Sequence, residues 1–454
     1  MLYILFICTI CFIIIFGVIR TGNIFNPLTY FSLFWGIWTI VSLGNPFMLY
    51  DVSTKTYMII WLNVVATSIG FFVVNHKKNK NHINVGVDKQ RLLGGDLLNT
   101  RFFLFLQFFL SFILIYFAIK YNNLLFSMTT ADMRRIVYEQ GLLFGSSFSS
   151  LLYFWIITPL VKVSILALIS DLVVNGKKGI NLGLALFNSV LFAFIGNGRF
   201  IYFEIIIFTL ISFGFKYDLF KKVSTNFKKR SNISKSLYVI FFVFVVYFMN
   251  LSSAKRIGIR SPSLSESVDV FVNYSLKQLV IYFTGPFRSL DFFLSSQIYK
   301  LTGYTYGRSF FSGIEEMINT FLIFLSGNSF SFHTANEKTA SFTVNPILIG
   351  DNTTFNAFYT SIMNFYLDGG LPLVLSLSLL FGVSCAIFYR YYLNNSNLIT
   401  FSLNVYLVYQ MVATAFRWNY SAPHTWLAIG LILVVNKIHN DKTSKSSKVP
   451  QINS

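Results

Sequence analysis

The sequence predicts an all-α polytopic membrane protein of about eleven transmembrane helices, with a long extracytoplasmic loop containing amphipathic or re-entrant helices. Three observations carry that expectation. Hydrophobic residues make up 54% of the chain and charged residues 12%, with a mean hydropathy of +0.61. Soluble domains carry about 25% charged residues, and a water-soluble fold of this size could not cover 53 phenylalanines. The apolar residues also come in blocks of about 20, the helical length that crosses about 30 Å of hydrocarbon. A β-barrel would alternate over segments of about 10 residues instead. Finally, lysine and arginine gather in the connections between blocks, the pattern that orients a polytopic chain.

The blocks follow in order. The first, 2–19 (LYILFICTICFIIIFGVI), is longer than a signal-peptide core and lacks both a basic start and a small-residue cleavage site, so it reads as a retained span. Blocks at 28–48, 57–75, 102–120 and 150–172 come next. The run 181–215 is too long for one span and long enough for two, 181–196 and 200–215, with "GNGR" as the turn. A further block lies at 237–251, and after a long gap come 371–390, 398–415 and 424–438. The chain thus divides into N-terminal transmembrane helices (1–251), a large extracytoplasmic loop (252–356), C-terminal transmembrane helices (357–438) and a cytoplasmic tail (439–454). The halves do not resemble each other, which weighs against an inverted-repeat transporter.

Orientation follows from the basic connections. Lys77, Lys78, Lys80, Lys89, Arg91 and Arg101 crowd one; Lys216, Lys221, Lys222, Lys228, Lys229, Arg230 and Lys235 crowd another. With "NGKKG" (175–179) and the tail "KIHNDKTSKSSK", they fall on one side, which is the cytoplasm, leaving the N-terminus outside and the C-terminus inside. The net charge of +19 then expresses topology, and no nucleic-acid partner is expected. Cys8, Cys11 and Cys385 all lie in apolar segments without metal-ligand spacing. No phosphate-binding loop or zinc motif is present, so no cofactor or metal is expected.

The outer side holds the informative charges. Arginine outnumbers lysine there: Arg134, Arg135, Arg199, Arg256, Arg260, Arg288, Arg308 and Arg417. Planar, bidentate recognition of phosphate favours arginine, although any one of these can equally snorkel to headgroups or pair with an acid, as Asp291 could with Arg288. Asp368, in "FYLDGGLP", enters a span; it is either a functional carboxylate at a membrane boundary or a helix-start residue. His333 and His424 are the outer histidines, each a base or a plain surface residue. Aromatic residues beside the arginines ("YTYGRSFF", "YFTGPFR", "FRWNY") read as sugar-stacking platforms or as the interfacial belt. The long loop's "LKQLVIYFTGPFRSLDFFLSSQIYKL" and "GIEEMINTFLIFL" suit interfacial or re-entrant helices.

These features resemble the Wzy-type O-antigen or oligosaccharide repeat-unit polymerases of bacterial surface polysaccharide assembly. The resemblance spans most of the chain and rests on "GNIFNPLTYFSLFWGIW", "ADMRRIVYEQG", "GNGRF", "YFTGPF" and "NAFYTSIMNFYLDGGLPLVLSLSLLFG". It implies a glycosyltransferase of the bacterial cytoplasmic (inner) membrane that joins undecaprenyl-diphosphate-linked repeat units into O-antigen or capsule. It also implies a chain-length regulator and a flippase as pathway partners, besides membrane lipid. Carried over position by position, it assigns pyrophosphate binding to Arg134, Arg135, Arg199 and Arg288 and an acidic catalytic role to Asp368; by analogy with O-antigen ligases it puts a base at His333. The alternatives are a lipid-linked oligosaccharide flippase or transporter, a polyprenyl-phosphate-sugar transferase, or an O-antigen ligase. The few charges within spans, chiefly Lys162 and Glu204, weigh against the flippase, and a lone Asp51 in the early outer connection weighs against the sugar transferase.

Overall fold

The structure, a computed structural model, describes residues 2–75, 100–125, 142–176, 179–196, 200–221, 276–297, 299–327, 329–343, 345–351, 353–355, 358–395 and 397–446. The chain is mostly helical: α1 Leu2–Thr21, α2 Pro27–Gly44, α3 Thr54–Val74, α4 Arg101–Leu125, α5 Ser147–Asn175, α6 Ile180–Ile195, α7 Phe200–Lys221, α8 Leu276–Ser296, α9 Ser312–Leu325, α10 Ala335–Thr343, α11 Ser361–Asn394, α12 Leu398–Ala413 and α13 Pro423–Ser446. Among the described residues seven helices, α1–α5, α7 and α11, are long and apolar enough to cross a bilayer, and α6 and α12 are shorter apolar helices. The protein is therefore a multi-pass, helical membrane protein. The apolar block at 237–251, residues 197–199 of the "GNGR" turn and most of the basic connections lie outside the described residues.

Two compact units divide the chain. One comprises Met1–Asn84, Tyr202–Arg390 and Leu407–Ala422; the other comprises Val85–Ile201, Tyr391–Tyr406 and Pro423–Ser454.

In the first unit local signals set the early helices. Asn26 caps α2, its side chain accepting the Thr29 N–H at 3.1 Å, and Pro27 follows at the first helical position. Ser53 caps α3 in the same way, through the Thr56 N–H. Helices α3 and α11 cross backbone to backbone. A Cβ on Gly70 would lie 2.1 Å from the Leu379 carbonyl oxygen, and one on Gly382 would lie 2.0 Å from that of Thr67, so both positions require glycine. Ser378 and Asn63 hydrogen-bond across this crossing at 2.7 Å. Helix α8 lies against α2 through aromatic faces: Trp35 stacks on Phe287 and Trp38 on Phe283, with ring centroids 5.7 and 4.4 Å apart.

A small antiparallel hairpin, β1 Ile347–Gly350 and β2 Thr353–Phe355, interrupts the helices, a feature the apolar patterning does not anticipate. Its first strand is extended by the α2–α3 turn, where Leu49 bridges Gly350 and the Tyr50 N–H donates to Ile349 O at 2.8 Å. Thus the α2–α3 turn is tied to the hairpin through the hairpin's first strand.

In the second unit α4, α5 and α6 pack together around Leu110, Leu114, Tyr121, Tyr153 and Ile195. Ser111 donates to Asn188 at 2.7 Å, and Asn188 donates to the Gln107 carbonyl at 3.2 Å, a polar tie between α4 and α6. Phe102, Phe105, Phe108, Phe109, Phe112 and Tyr116 of α4 are exposed, a face suited to acyl chains. Within α5, residues Tyr153–Ile157 form a π turn just before Pro159, whose missing N–H breaks the regular ladder.

Candidate functional site

Helix α11 is two helices separated at Gly369–Gly370, and the break creates the site. Gly370 has φ +69°, a left-handed backbone that favours glycine, so the chain stops one helix at Asp368 and starts the next at Leu371. The first helix therefore ends with free carbonyls, and the backbone of Thr305 and Tyr306 satisfies two of them. The Thr305 N–H donates to Leu367 O and the Tyr306 N–H to Asp368 O, both at 3.0 Å.

The Asp368 side chain, fully buried, completes the clip. Its Oδ1 accepts the Thr305 hydroxyl at 2.6 Å and the Ser309 N–H at 2.8 Å; its Oδ2 accepts the Phe310 N–H at 2.8 Å. Asn364 adds a bond to Ser309 Oγ at 3.0 Å. Phe310 is anchored on its far side, where Trp418 Nε1 donates to its carbonyl at 3.0 Å and the two rings meet at 4.9 Å. A buried carboxylate wrapped by backbone N–H groups makes a rigid loop.

From that loop Arg308 reaches outward. Its Nε donates to Glu315 Oε1 at 2.6 Å, and one terminal nitrogen donates to the His333 carbonyl at 2.5 Å. Glu315 uses its other oxygen to hold the Ala335 N–H at 2.8 Å, the first residue of α10. His333 is thereby fixed through its backbone while its ring stands in solvent, 96% exposed, with Nδ1 2.8 Å from Glu337 Oε2. That contact favours the tautomer protonated on Nδ1 and leaves Nε2 as an outward acceptor. One turn further along α10, Lys338 donates to Thr302 O at 3.1 Å, so the helix is tied to both ends of the loop. Half-buried Glu316 completes the neighbourhood. Burial pushes its carboxyl above the ordinary value, bonds from Thr334 and Asn336 oppose this, and Glu337 and Glu315 add to it.

The site candidates from the sequence separate accordingly. Asp368 and His333 lie on either side of one loop. Arg288 sits elsewhere on the same unit, 5% exposed, donating to Tyr50 O (2.8 Å), Asn45 Oδ1 (3.0 Å), Ser42 Oγ (3.3 Å) and Thr284 O (3.3 Å). In that position it holds the α2–α3 turn against α8. Asp291, the acid that could have paired with it, instead accepts the Ser53 N–H at 3.2 Å and the Ser53 and Thr56 hydroxyls at the start of α3. Arg134, Arg135 and Arg199 lie outside the described residues. His424 belongs to the second unit, with Nε2 3.4 Å from Lys162 Nζ.

Arg308, Glu315 and Glu337 carry no motif in the sequence that sets them apart from other charges. The spacing His333-x-x-x-Glu337 is the signal that could have singled out a pair, because residues four apart share a helix face. Among the described residues no three His, Cys, Asp or Glu side chains converge as a metal site. A scan of protein-family models finds no match, and neither curated proteins nor solved structures give one.

Proposed function

We propose that this protein is a membrane glycosyltransferase that polymerises oligosaccharide repeat units carried on undecaprenyl diphosphate, acting on the outer face of a bacterial cytoplasmic membrane. The reading extends the helical core to eleven spans, with the N-terminus outside, the C-terminus in the cytoplasm and residues 252–356 as the outer segment. The single observation that carries it is the His333–Glu337 pair held beside Arg308: an outward imidazole nitrogen with a carboxylate behind it, next to a guanidinium.

In the reaction the acceptor's hydroxyl attacks the anomeric carbon of the donor glycan. A bond forms between that oxygen and the anomeric carbon, and the bond from the anomeric carbon to the diphosphate oxygen breaks. The hydroxyl proton passes to His333 Nε2, and Glu337 holds the imidazolium that results. Undecaprenyl diphosphate leaves with its charge against Arg308, with Arg134, Arg135 and Arg199 as further members of the diphosphate grip. Asp368 serves through the loop it organises, and Arg288 through the turn it anchors. A flippase delivering lipid-linked units and a chain-length regulator are the expected pathway partners.

Helix α9 supports a lipid-level position for this chemistry. It is inside out: Asn319 is buried and Glu315 turns to Arg308, while Ile318, Phe321, Phe324 and Leu325 face outward. In water such a face is unfavourable; against acyl chains it is the expected polarity.

The test is genetic. A strain deleted for the gene should carry single-repeat surface glycan, and wild-type protein supplied in trans should restore the polymer ladder. His333→Ala and Arg199→Ala should leave inserted, full-length protein with no ladder. An unchanged glycan pattern in the deletion strain would refute the reading.

A further inference from the structure

Residues Gly303–Gly307 hold three left-handed positions in five: Gly303 (φ +70°), Tyr306 (φ +52°) and Gly307 (φ +90°). A tyrosine there is strained, since only glycine adopts that backbone freely. Yet Tyr306 is 83% exposed, so its ring contributes almost nothing to the core that retains it. A buried carboxylate and a backbone clip thus maintain a solvent-facing ring in a conformation it resists.

The ring is one wall of a corner. Tyr304, 39% exposed, meets it at 6.4 Å and 72°, and Tyr304 is backed by Tyr299 at 6.4 Å in a stacked arrangement. Tyr299 in turn packs edge-on against Tyr366 of α11 at 5.1 Å. Beside Gly303 and Gly307 nothing lies within 4 Å of where a side chain would begin, so no neighbour crowds that side of the loop.

We propose that Tyr304 and Tyr306 form a pyranose-binding corner that seats a sugar of the glycan beside the His333–Glu337 pair; the inference rests on the glycosyltransferase reading above. A pyranose offers a face of C–H bonds to an aromatic ring and hydroxyls around its rim. The corner answers the C–H face with two π faces at a steep angle. The composition separates it from a lipid contact. The outward face of α9 uses Ile318, Phe321, Phe324 and Leu325, whereas residues 302–309 (TGYTYGRS) include no aliphatic side chain. Bonds from Arg308 to His333 O and from Lys338 to Thr302 O fix the corner to His333 and the start of α10, so a sugar seated there lies next to the proposed base.

The experiment supplies full-length Tyr306→Phe, Tyr306→Leu and Tyr306→Ala proteins to the deletion strain, with membrane levels matched by immunoblot and surface glycan resolved by length. The corner requires a π face, so Phe should restore the wild-type ladder. Ala and Leu should shorten it, with glycan transfer in isolated membranes about three- to tenfold slower, the ratio expected for losing a contact of aromatic-pair strength. Restoration by Leu as well would mean a lipid-anchoring side chain, and restoration by all three would mean that the ring has no role; either overturns the corner. A deletion strain with an unchanged ladder would sink the glycosyltransferase reading first and the corner with it.

Discussion

Asp368 and Tyr306 are joined through the backbone, with the Tyr306 N–H donating to the Asp368 carbonyl at 3.0 Å, while the same aspartate's carboxylate gathers Thr305, Ser309 and Phe310. Removing the carboxylate strands two backbone N–H groups where no water reaches. Asp368→Ala should therefore lower stability by about 2–4 kcal/mol. Asp368→Asn should lower it less, because one amide oxygen still accepts while the amide nitrogen faces an N–H. Thermal unfolding of the detergent-purified protein measures both. A positioning role adds a second signature, faster proteolysis within residues 302–311. If the asparagine variant keeps wild-type stability and protection yet loses all polymer, Asp368 touches the reaction itself.

The Arg308–Glu315 pair should act as a unit with His333. Side chains of Arg308 and Glu315 are 46% and 11% exposed, so solvent screens the pair and its coupling should be about 0.5–1 kcal/mol in a double-mutant cycle read by unfolding. The functional effect should be larger. Without Arg308 the His333 carbonyl is released and the imidazole loses its fixed position, so Arg308→Lys should slow glycan transfer by about tenfold or more even at unchanged stability. A lysine variant with wild-type transfer would remove the fork geometry from the mechanism.

Glu316 gives a pH signature. Its carboxyl is held above the ordinary value chiefly by burial, so the folded state binds that proton more tightly than the unfolded chain does. Stability should be unaffected below the ordinary carboxylate range, fall as pH rises from that value through the raised one, and level off above it. Glu316→Gln keeps the hydrogen-bonding shape without the charge. It should flatten that part of the profile and raise the melting temperature at neutral pH, and melting curves between pH 4 and 8 will read both. An unchanged slope would assign the pH dependence to other carboxyls.

Legibility in the sequence followed the physics of each feature. Membrane helices depend on local composition, so blocks such as 2–19 and 57–75 fall on α1 and α3 within a few residues. The glycine break of α11 was visible as "DGGLP", but its consequence was not, because the partners of Asp368 lie about 60 residues earlier in a loop with no periodicity. Arg288 reads identically in sequence whether it grips a phosphate or a turn. Only the meeting of α8 with Asn45 and Tyr50 separates the two environments. The hairpin at 347–355 leaves no mark in the apolar pattern because its strands are four and three residues long and the first pairs partly with the distant α2–α3 turn.

Helix α9 makes the sharpest topological prediction. Residues Ile318, Phe321, Phe324 and Leu325 follow helical spacing and are all more than half exposed, whereas Asn319 is 6% exposed and accepts the Phe332 N–H at 3.1 Å. If acyl chains are the solvent of that face, nitroxides at Phe321→Cys and Phe324→Cys in nanodiscs should collide readily with oxygen and scarcely with a water-soluble nickel chelate. A nitroxide at Asn319→Cys should meet neither. Native Cys8, Cys11 and Cys385 must first become serine, since Cys8 and Cys11 are exposed. Ready collision with the nickel chelate at 321 and 324 would place α9 in water. Protection from both reagents there would mean that protein covers the face. In either case the proposed grip on a diphosphate at headgroup depth would lose its physical basis, because the Arg308–Glu315 pair hangs from the inner side of this same helix.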